Sequence, residues 1–333
     1  MNIKNPLLIL LFLTSLFGYS QEGIPVYADY LTDNMYLMNP AMAGIAPTTR
    51  IRITARQQWF DQRNAPNLQT LNFTSRLGGR SGVGVIAYND RNGFHSETGG
   101  YLTYAHHIPL SKYQGELHQL SFGISAGMTQ SRLDETRFDL NDFDPIIAGI
   151  MQSESYFNAD VGVAYNYQDL SVHFAAKNIL FSNRSLYSDK YESKNLRKYI
   201  VGAGYAFGDY MEAWSFEPSV LFQLTERTSE KAIDLNFRAF RNMDFGGLWA
   251  GLSYRRSFDG AEYMSGDKIK DQKLQWITPI VGVNLHEFMF AYTYSYQTGS
   301  AKFDSGGYHQ ITLGYTFDGG RGGRYDCNCP NVN

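Results

Sequence analysis

Cysteine is nearly absent. The chain has two, Cys327 and Cys329, one residue apart near the C-terminus. A disulfide framework is excluded, and a bridge across one intervening residue would be strained and reducible. No further ligands stand beside the pair, so it does not make a metal site, and the default is a solvent-exposed pair in an oxidising compartment. Long apolar runs are also missing. Beyond the first twenty residues nothing approaches the roughly 18 consecutive apolar residues of a spanning helix. Charge of one sign is lacking: 29 Lys and Arg stand against 32 Asp and Glu, a formal net of -3. With no strongly basic face to neutralise phosphates, nucleic acid is not an expected partner.

What is abundant is aromatic and small. There are 24 Tyr, 22 Phe and 32 Gly against 10 Pro, and mean hydropathy is -0.34. Tyr beside Gly suits long strands that end at an interface, where a ring's apolar body and polar tip are both satisfied. The first twenty residues read as a targeting segment. Lys4 gives a positive end, Pro6 to Phe17 is an apolar run of signal-peptide length, and Gly18 and Ser20 are small residues at the positions a signal peptidase reads. Cleavage is expected after Ser20, with Gln21 as the mature start. No Cys sits at the cut, so no N-terminal lipid anchor is expected.

The remaining chain alternates with period two. Leu120, Phe122, Ile124, Ala126 and Met128 alternate with Ser121, Gly123, Ser125, Gly127 and Thr129. Phe157, Ala159, Val161, Val163, Tyr165 and Tyr167 alternate with Asn158, Asp160, Gly162, Ala164 and Asn166. Phe288, Phe290, Tyr292, Tyr294 and Tyr296 stand against Met289, Ala291, Thr293, Ser295 and Gln297. Such stripes match a lipid face and a lumen face. The pattern predicts about fourteen strands, over 48–58, 67–77, 81–89, 96–107, 117–130, 156–167, 170–178, 197–207, 213–225, 231–241, 247–258, 274–284, 287–297 and 307–317. Gaps alternate in length. Those at 131–155, 179–196 and 259–273 are long and polar, whereas 78–80, 168–169, 208–212, 242–246 and 285–286 are short. Short periplasmic turns, long external loops and an even strand number with both termini in the periplasm account for this. The fold expected is an all-β transmembrane antiparallel barrel. The final strand, His309 to Phe317, is aromatic and resembles the C-terminal recognition strand of outer-membrane barrels.

Charge collects on the predicted lumen side: Arg50, Arg52 and Arg56 on the first strand, then Asp160, Lys177, Glu217, Asp234 and Arg238. A cation at the lipid midplane would cost about 2–4 kcal/mol, which favours the inward assignment. Mixed signs suggest paired charges in a filled interior rather than a one-sign ion channel. Gly123-Ile124-Ser125-Ala126-Gly127 spells the hydrolase G-x-S-x-G, but that chemistry needs a strand-to-helix elbow and these residues lie mid-strand. Asp139 to Asp144 is oxygen-rich without the glycine and later Glu of an EF-hand, so a solvated acidic loop is the default over calcium. His106 and His107 are consecutive, point to opposite faces and make poor joint ligands. Ahead of the first strand, Val26 to Met38 has roughly helical apolar spacing that Asn39-Pro40 should end. Such a piece can plug the lumen, line the periplasmic mouth or lead into the wall; the plug or mouth placement is preferred. The expected division is a signal peptide at 1–20, a periplasmic or plug segment at 21–47, the barrel at 48–317 and a periplasmic tail at 318–333.

Asn39-Pro40-Ala41-Met42-Ala43-Gly44, after the aromatic-rich Tyr30–Met38, resembles the N-terminal signature of the PorP/SprF family. Arg56-Gln57-Gln58-Trp59 is similar to that family's Arg–Gln–Trp element. The resemblance covers nearly the whole mature chain; the Cys-containing tail does not map onto it. It implies an outer-membrane protein of the type IX secretion system of Bacteroidetes. It also implies a role in export or surface anchoring of a large adhesin of the gliding-motility type that carries a C-terminal sorting domain. The implied partners are that cargo, other secretion components and the bilayer. No catalytic residue, cofactor or metal comes with the family. Asn39, Pro40, Ala41, Gly44, Arg56, Gln58 and Trp59 are the signature and partner-binding candidates. A small-solute transporter or porin is the alternative, and an outer-membrane hydrolase using Ser125 a third class. The mature chain should need detergent to stay in solution and show strand with little helix by circular dichroism. A freely soluble or strongly helical chain would remove the barrel.

Overall fold

The computed structural model describes residues 29–32, 34–58, 64–113, 115–137, 149–182, 194–208, 213–265, 268–298 and 307–317. Fourteen strands form in chain order. They are β1 (Arg50–Gln58), β2 (Asn67–Leu77), β3 (Ser81–Asn92), β4 (His95–Pro109), β5 (His118–Asp134), β6 (Met151–Tyr167) and β7 (Leu170–Lys177). After them come β8 (Lys198–Tyr205), β9 (Trp214–Thr225), β10 (Lys231–Met243), β11 (Gly246–Ser265), β12 (Lys268–Leu285), β13 (Phe288–Thr298) and β14 (Gly307–Thr316). Each pairs antiparallel with its sequence neighbours, and β1 pairs with β14 to close the barrel. The closing seam runs from Arg50↔Thr316 to Gln58↔Tyr308 without a break.

Alternation sorts the two faces as period-two geometry requires. On β4, Leu102 is 68% exposed while Tyr101 and Thr103 on either side are buried. On β13, Phe288, Phe290, Tyr292 and Tyr296 are exposed, and Met289, Ala291, Thr293 and Ser295 are buried. So much exposed apolar surface has one stable setting, hydrocarbon. Aromatic rings gather where strands meet the short connections. Phe288 lies 4.9 Å from Tyr315, and Tyr315 lies 4.8 Å from Phe317, ring centre to ring centre. That is the girdle expected at a membrane interface. No described helix is long and apolar enough to cross a membrane.

The connections 78–80, 168–169, 244–245 and 286–287 lie at one end. The long connections 135–150 and 178–197 lie at the other. Three expectations need correction. The stretch 259–273 is not a polar loop: β11 and β12 continue through it, paired from Gly260↔Lys273 to Ser265↔Lys268 after a register shift at Arg256. A backbone ladder needs no apolar stripe once it leaves the membrane, so periodicity did not mark it. Strands β5 and β6 likewise overrun the expected 131–155 loop, for the same reason. Finally, the helical spacing of 26–38 yields no α-helix among the described residues, only short 3-10 turns at Asp29–Leu31, Met35–Leu37 and Pro40–Met42. The Leu31 and Leu37 carbonyls are taken by barrel side chains, and those of Tyr30, Asn34 and Met35 close local turns. The acidic stretch 139–144, Trp59 and the cysteine tail fall outside the described residues.

Leu102→Arg should destabilise the barrel in lipid vesicles by about 2–4 kcal/mol, read from reversible denaturant unfolding. A cost near zero would mean that this face does not meet hydrocarbon.

Candidate functional site: the filled lumen

Inward residues of five adjacent strands form one row across the wall. Gly82 pairs with Ala105, Ala105 with Gly123, Gly123 with Gly162, and Gly162 with Ala175. None has a side chain beyond a methyl, so the row is a shallow belt on the inner surface. The Asn39–Gly44 stretch lies on it. A Cβ on Gly82 would overlap the Ala43 carbonyl, one on Gly123 the Pro40–Ala41 backbone, and one on Gly162 the Asn39 side chain. Gly123 of the G-x-S-x-G lookalike thus lies mid-strand against the Pro40–Ala41 backbone. Ser125 itself is buried 2.6 Å from the Thr103 hydroxyl.

Each signature residue in this stretch has a visible task. The Asn39 carboxamide oxygen accepts from the Ala41 backbone N–H at 2.9 Å and caps the 3-10 turn that Pro40 begins. Its nitrogen donates to the carbonyls of Val163 at 3.0 Å and Phe174 at 3.2 Å, tying the turn to β6 and β7. Ala41 is fully buried. Gly44 has φ +62°, and a Cβ there would stand 2.5 Å from the Ser75 carbonyl; only glycine serves both demands. Arg56 is inward with its guanidinium 5.1 Å from the Tyr308 ring centre. Gln58 ends β1, its N–H bonded to the Pro66 carbonyl.

The rest of residues 30–46 is held from both sides of the lumen. The Tyr30 hydroxyl donates to Asp234 at 2.9 Å and accepts from Asn236 at 2.9 Å. Asp234 is clamped by Arg255 through two hydrogen bonds of 2.6 and 2.8 Å. Arg238 donates to the Leu31 carbonyl at 2.9 Å and to Glu217 at 2.6 Å. Lys177 donates to the Leu37 carbonyl at 2.8 Å and lies 3.6 Å from Asp160. His107 Nε2 donates to the Ala43 carbonyl at 3.1 Å, and its Nδ1 accepts from Ser121 at 2.9 Å. Arg76 donates to the carbonyls of Gly44 and Ile45. Two apolar clusters complete the fill. One joins Leu37, Met42 and Ile45 to Ile86, Tyr88 and Leu117; the other joins Leu31 and Met38 to Ile200, Leu221, Trp249 and Ile280. Met38 is wholly buried, a contribution of about 1.5–3 kcal/mol.

Asp160, Lys177, Glu217, Asp234 and Arg238 thus face inward as their strand parity predicted, and they are paired. Two important groups were not singled out from sequence. Arg255 stands in the inward register of Trp249 and Ser253, so its parity was a usable signal. His107 was weighed only as a metal ligand, although its parity already turned it inward. Burial raises the Tyr30 pKa well above its ordinary value, and the Asp234 carboxylate adds to that; burial also raises Tyr36.

The family model for "Type IX secretion system membrane protein PorP/SprF" matches residues 19–315. The chain belongs to the PorP/SprF family. It is an outer-membrane β-barrel of type IX secretion. No curated protein matches it. Among solved structures it is similar to the CymD monoaromatic hydrocarbon channel, at 9% identity, with 85% of this chain and 91% of that one covered and a TM-score of 0.48. A Pseudomonas aeruginosa FadL homologue gives 10%, 85%, 93% and 0.45, and OmpF of Salmonella typhi 10%, 81%, 97% and 0.38. What those proteins carry is a property of those proteins. In this PorP/SprF member the signature residues Asn39, Pro40, Ala41 and Gly44 are buried in the lumen, not displayed on a rim.

Gly162→Val should expel the Asn39 turn, an overpacking cost of about 1–3 kcal/mol. Protease cleavage within 30–46 should quicken while the barrel itself stays folded. Gly79→Val, which meets nothing within 4 Å, should change nothing. Alkali gives a second check. A free tyrosine ionises near pH 10, but docked Tyr30 and Tyr36 keep their protons to higher pH. Docking is then fully stable below about pH 10 and weakens as pH rises above it. Cleavage of the segment by an alkaline protease should begin above about pH 10, and later in a Tyr30→Phe, Tyr36→Phe variant.

Proposed function

We propose that this PorP/SprF member is a non-enzymatic, plugged barrel that works at its rims. It binds a large secreted adhesin through that cargo's C-terminal sorting domain, or binds the secretion machinery, and so supports export or surface anchoring. The observation that supports this is the filling of the lumen. Residues 30–46 bond to β4, β6, β7 and β10 at once, and apolar side chains occupy the space between. A barrel closed in this way has little use for a substrate path along its axis.

In this reading residues 1–20 are removed on export, 21–47 form the plug, and the short-turn end and both termini face the periplasm. The tail 318–333 then meets periplasmic partners. The connections 135–150 and 178–197, with the projecting β11–β12 hairpin, face outward and receive the cargo. Asn39, Pro40, Ala41 and Gly44 anchor the plug, while Arg56 and Gln58, toward the far end of β1 from the plug's entry at Arg50, remain with Trp59 candidates for partner binding. No nucleophile–base pair is assigned.

The purified protein should be silent in planar bilayers, and gentle solubilisation should bring down a large secreted protein with it. Deleting the gene should leave a surface adhesin trapped in the cell or shed into the medium. Normal adhesin display after deletion would overturn the cargo role. Steady, solute-dependent conductance would favour a small-solute transporter instead.

A further inference from the structure

Four wall side chains that hold residues 30–46 bind its main chain. Arg238, Lys177, His107 and Arg76 donate to the carbonyls of Leu31, Leu37, Ala43 and Gly44 respectively. Every peptide carries those acceptors, so these contacts would hold any chain on the same path. Selection enters through side chains: the Tyr30 and Tyr36 hydroxyls, the Asn39 carboxamide, the apolar contacts of Leu31, Leu37 and Met38, and the close approach that Gly82, Gly123 and Gly162 permit.

The wall also has hydrogen-bonding capacity that this segment leaves unused. His173 Nε2, Asn236 Oδ1 and Arg238 Nε have no partner. Their residues are 8%, 6% and 3% exposed. All three line one small recess beside Tyr30 and Leu31. Buried polar groups are ordinarily partnered, so these three are places where residues 30–46 leave the wall free to bond a further group. The nearby charges are compensated, Arg238 by Glu217 and Asp234 by Arg255. A near-neutral occupant suits them.

The geometry points to the inner wall being a peptide-binding site, filled in cis by residues 30–46, that also accepts a second polypeptide segment in trans. That segment is turn-rich and near-neutral, carries a tyrosyl hydroxyl ahead of an Asn-Pro turn, and follows the turn with small residues. The inference rests on the reading that residues 30–46 close the lumen, and adds that the closure is exchangeable.

The test uses the full chain with a site-specific protease sequence inserted after Pro47, which is exposed. Conductance before cleavage reports closure alone; an open barrel at this stage would overturn the closed-lumen reading. After cleavage in nanodiscs, a fluorescein-labelled synthetic peptide of residues 29–46 is added. The expected result is saturable uptake, reversed by unlabelled peptide and weakened at least about tenfold (~1.4 kcal/mol) in a peptide with Asn39→Leu, which loses both wall carbonyl bonds. Changing the peptide leaves the folding of the barrel untouched. Three results would overturn the inference: the cleaved segment stays and no label enters over days, the segment leaves and the peptide does not bind, or the barrel unfolds on release.

Discussion

In hydrocarbon, no water is available to a bare N–H or C=O. A strand can cross only if both its edges are paired, and the last strand must find the first. The unbroken β1–β14 seam meets that demand. Once it does, strand parity has no freedom left. Every second residue faces lipid and must be apolar, and the residues between them face a closed interior. That interior takes whatever polarity the chain carries at the alternate positions, and here it takes carboxylates, guanidiniums, an ammonium and hydroxyls.

A closed interior raises the same problem again on a smaller scale. Buried charges must be paired and hydrogen-bonded, because an isolated one costs several kcal/mol. The wall answers partly with itself, through Arg238–Glu217 and Arg255–Asp234. It answers partly with residues 30–46, whose carbonyls each take up one further donor of Arg238 and Lys177. Wall and segment therefore share these hydrogen bonds. The Gly82–Ala175 belt makes this possible by letting the backbone of the Asn39 turn approach the strands directly.

Much of this was legible in the amino-acid sequence, for a definite reason. Wherever one face meets lipid, alternation is strict, and there the fourteen strands and the inward charges could be read. Asp160, Lys177, Glu217, Asp234 and Arg238 were all placed by parity alone. Above the membrane the constraint lapses, so the paired extension of β11 and β12 through Ser265 and Lys268 looked like loop. The segment before β1 misled differently. It is buried on all sides, so its apolar spacing imitates a helix, while its carbonyls are divided between short turns and the wall. Its signature residues could be recognised as a motif, but their task depends on Gly82, Gly123 and Gly162, far along the chain, and nothing local announces that pairing.

The central claim is that residues 30–46 are enclosed by the barrel. With Cys327→Ser and Cys329→Ser removing the native thiols, Ala41→Cys can be treated with a membrane-impermeant maleimide in proteoliposomes opened to both faces. Tyr113→Cys, at an 80% exposed position, serves as the accessible reference. The account predicts that Cys at 41 stays unlabelled until the barrel is denatured. Labelling at the rate of the reference would contradict it.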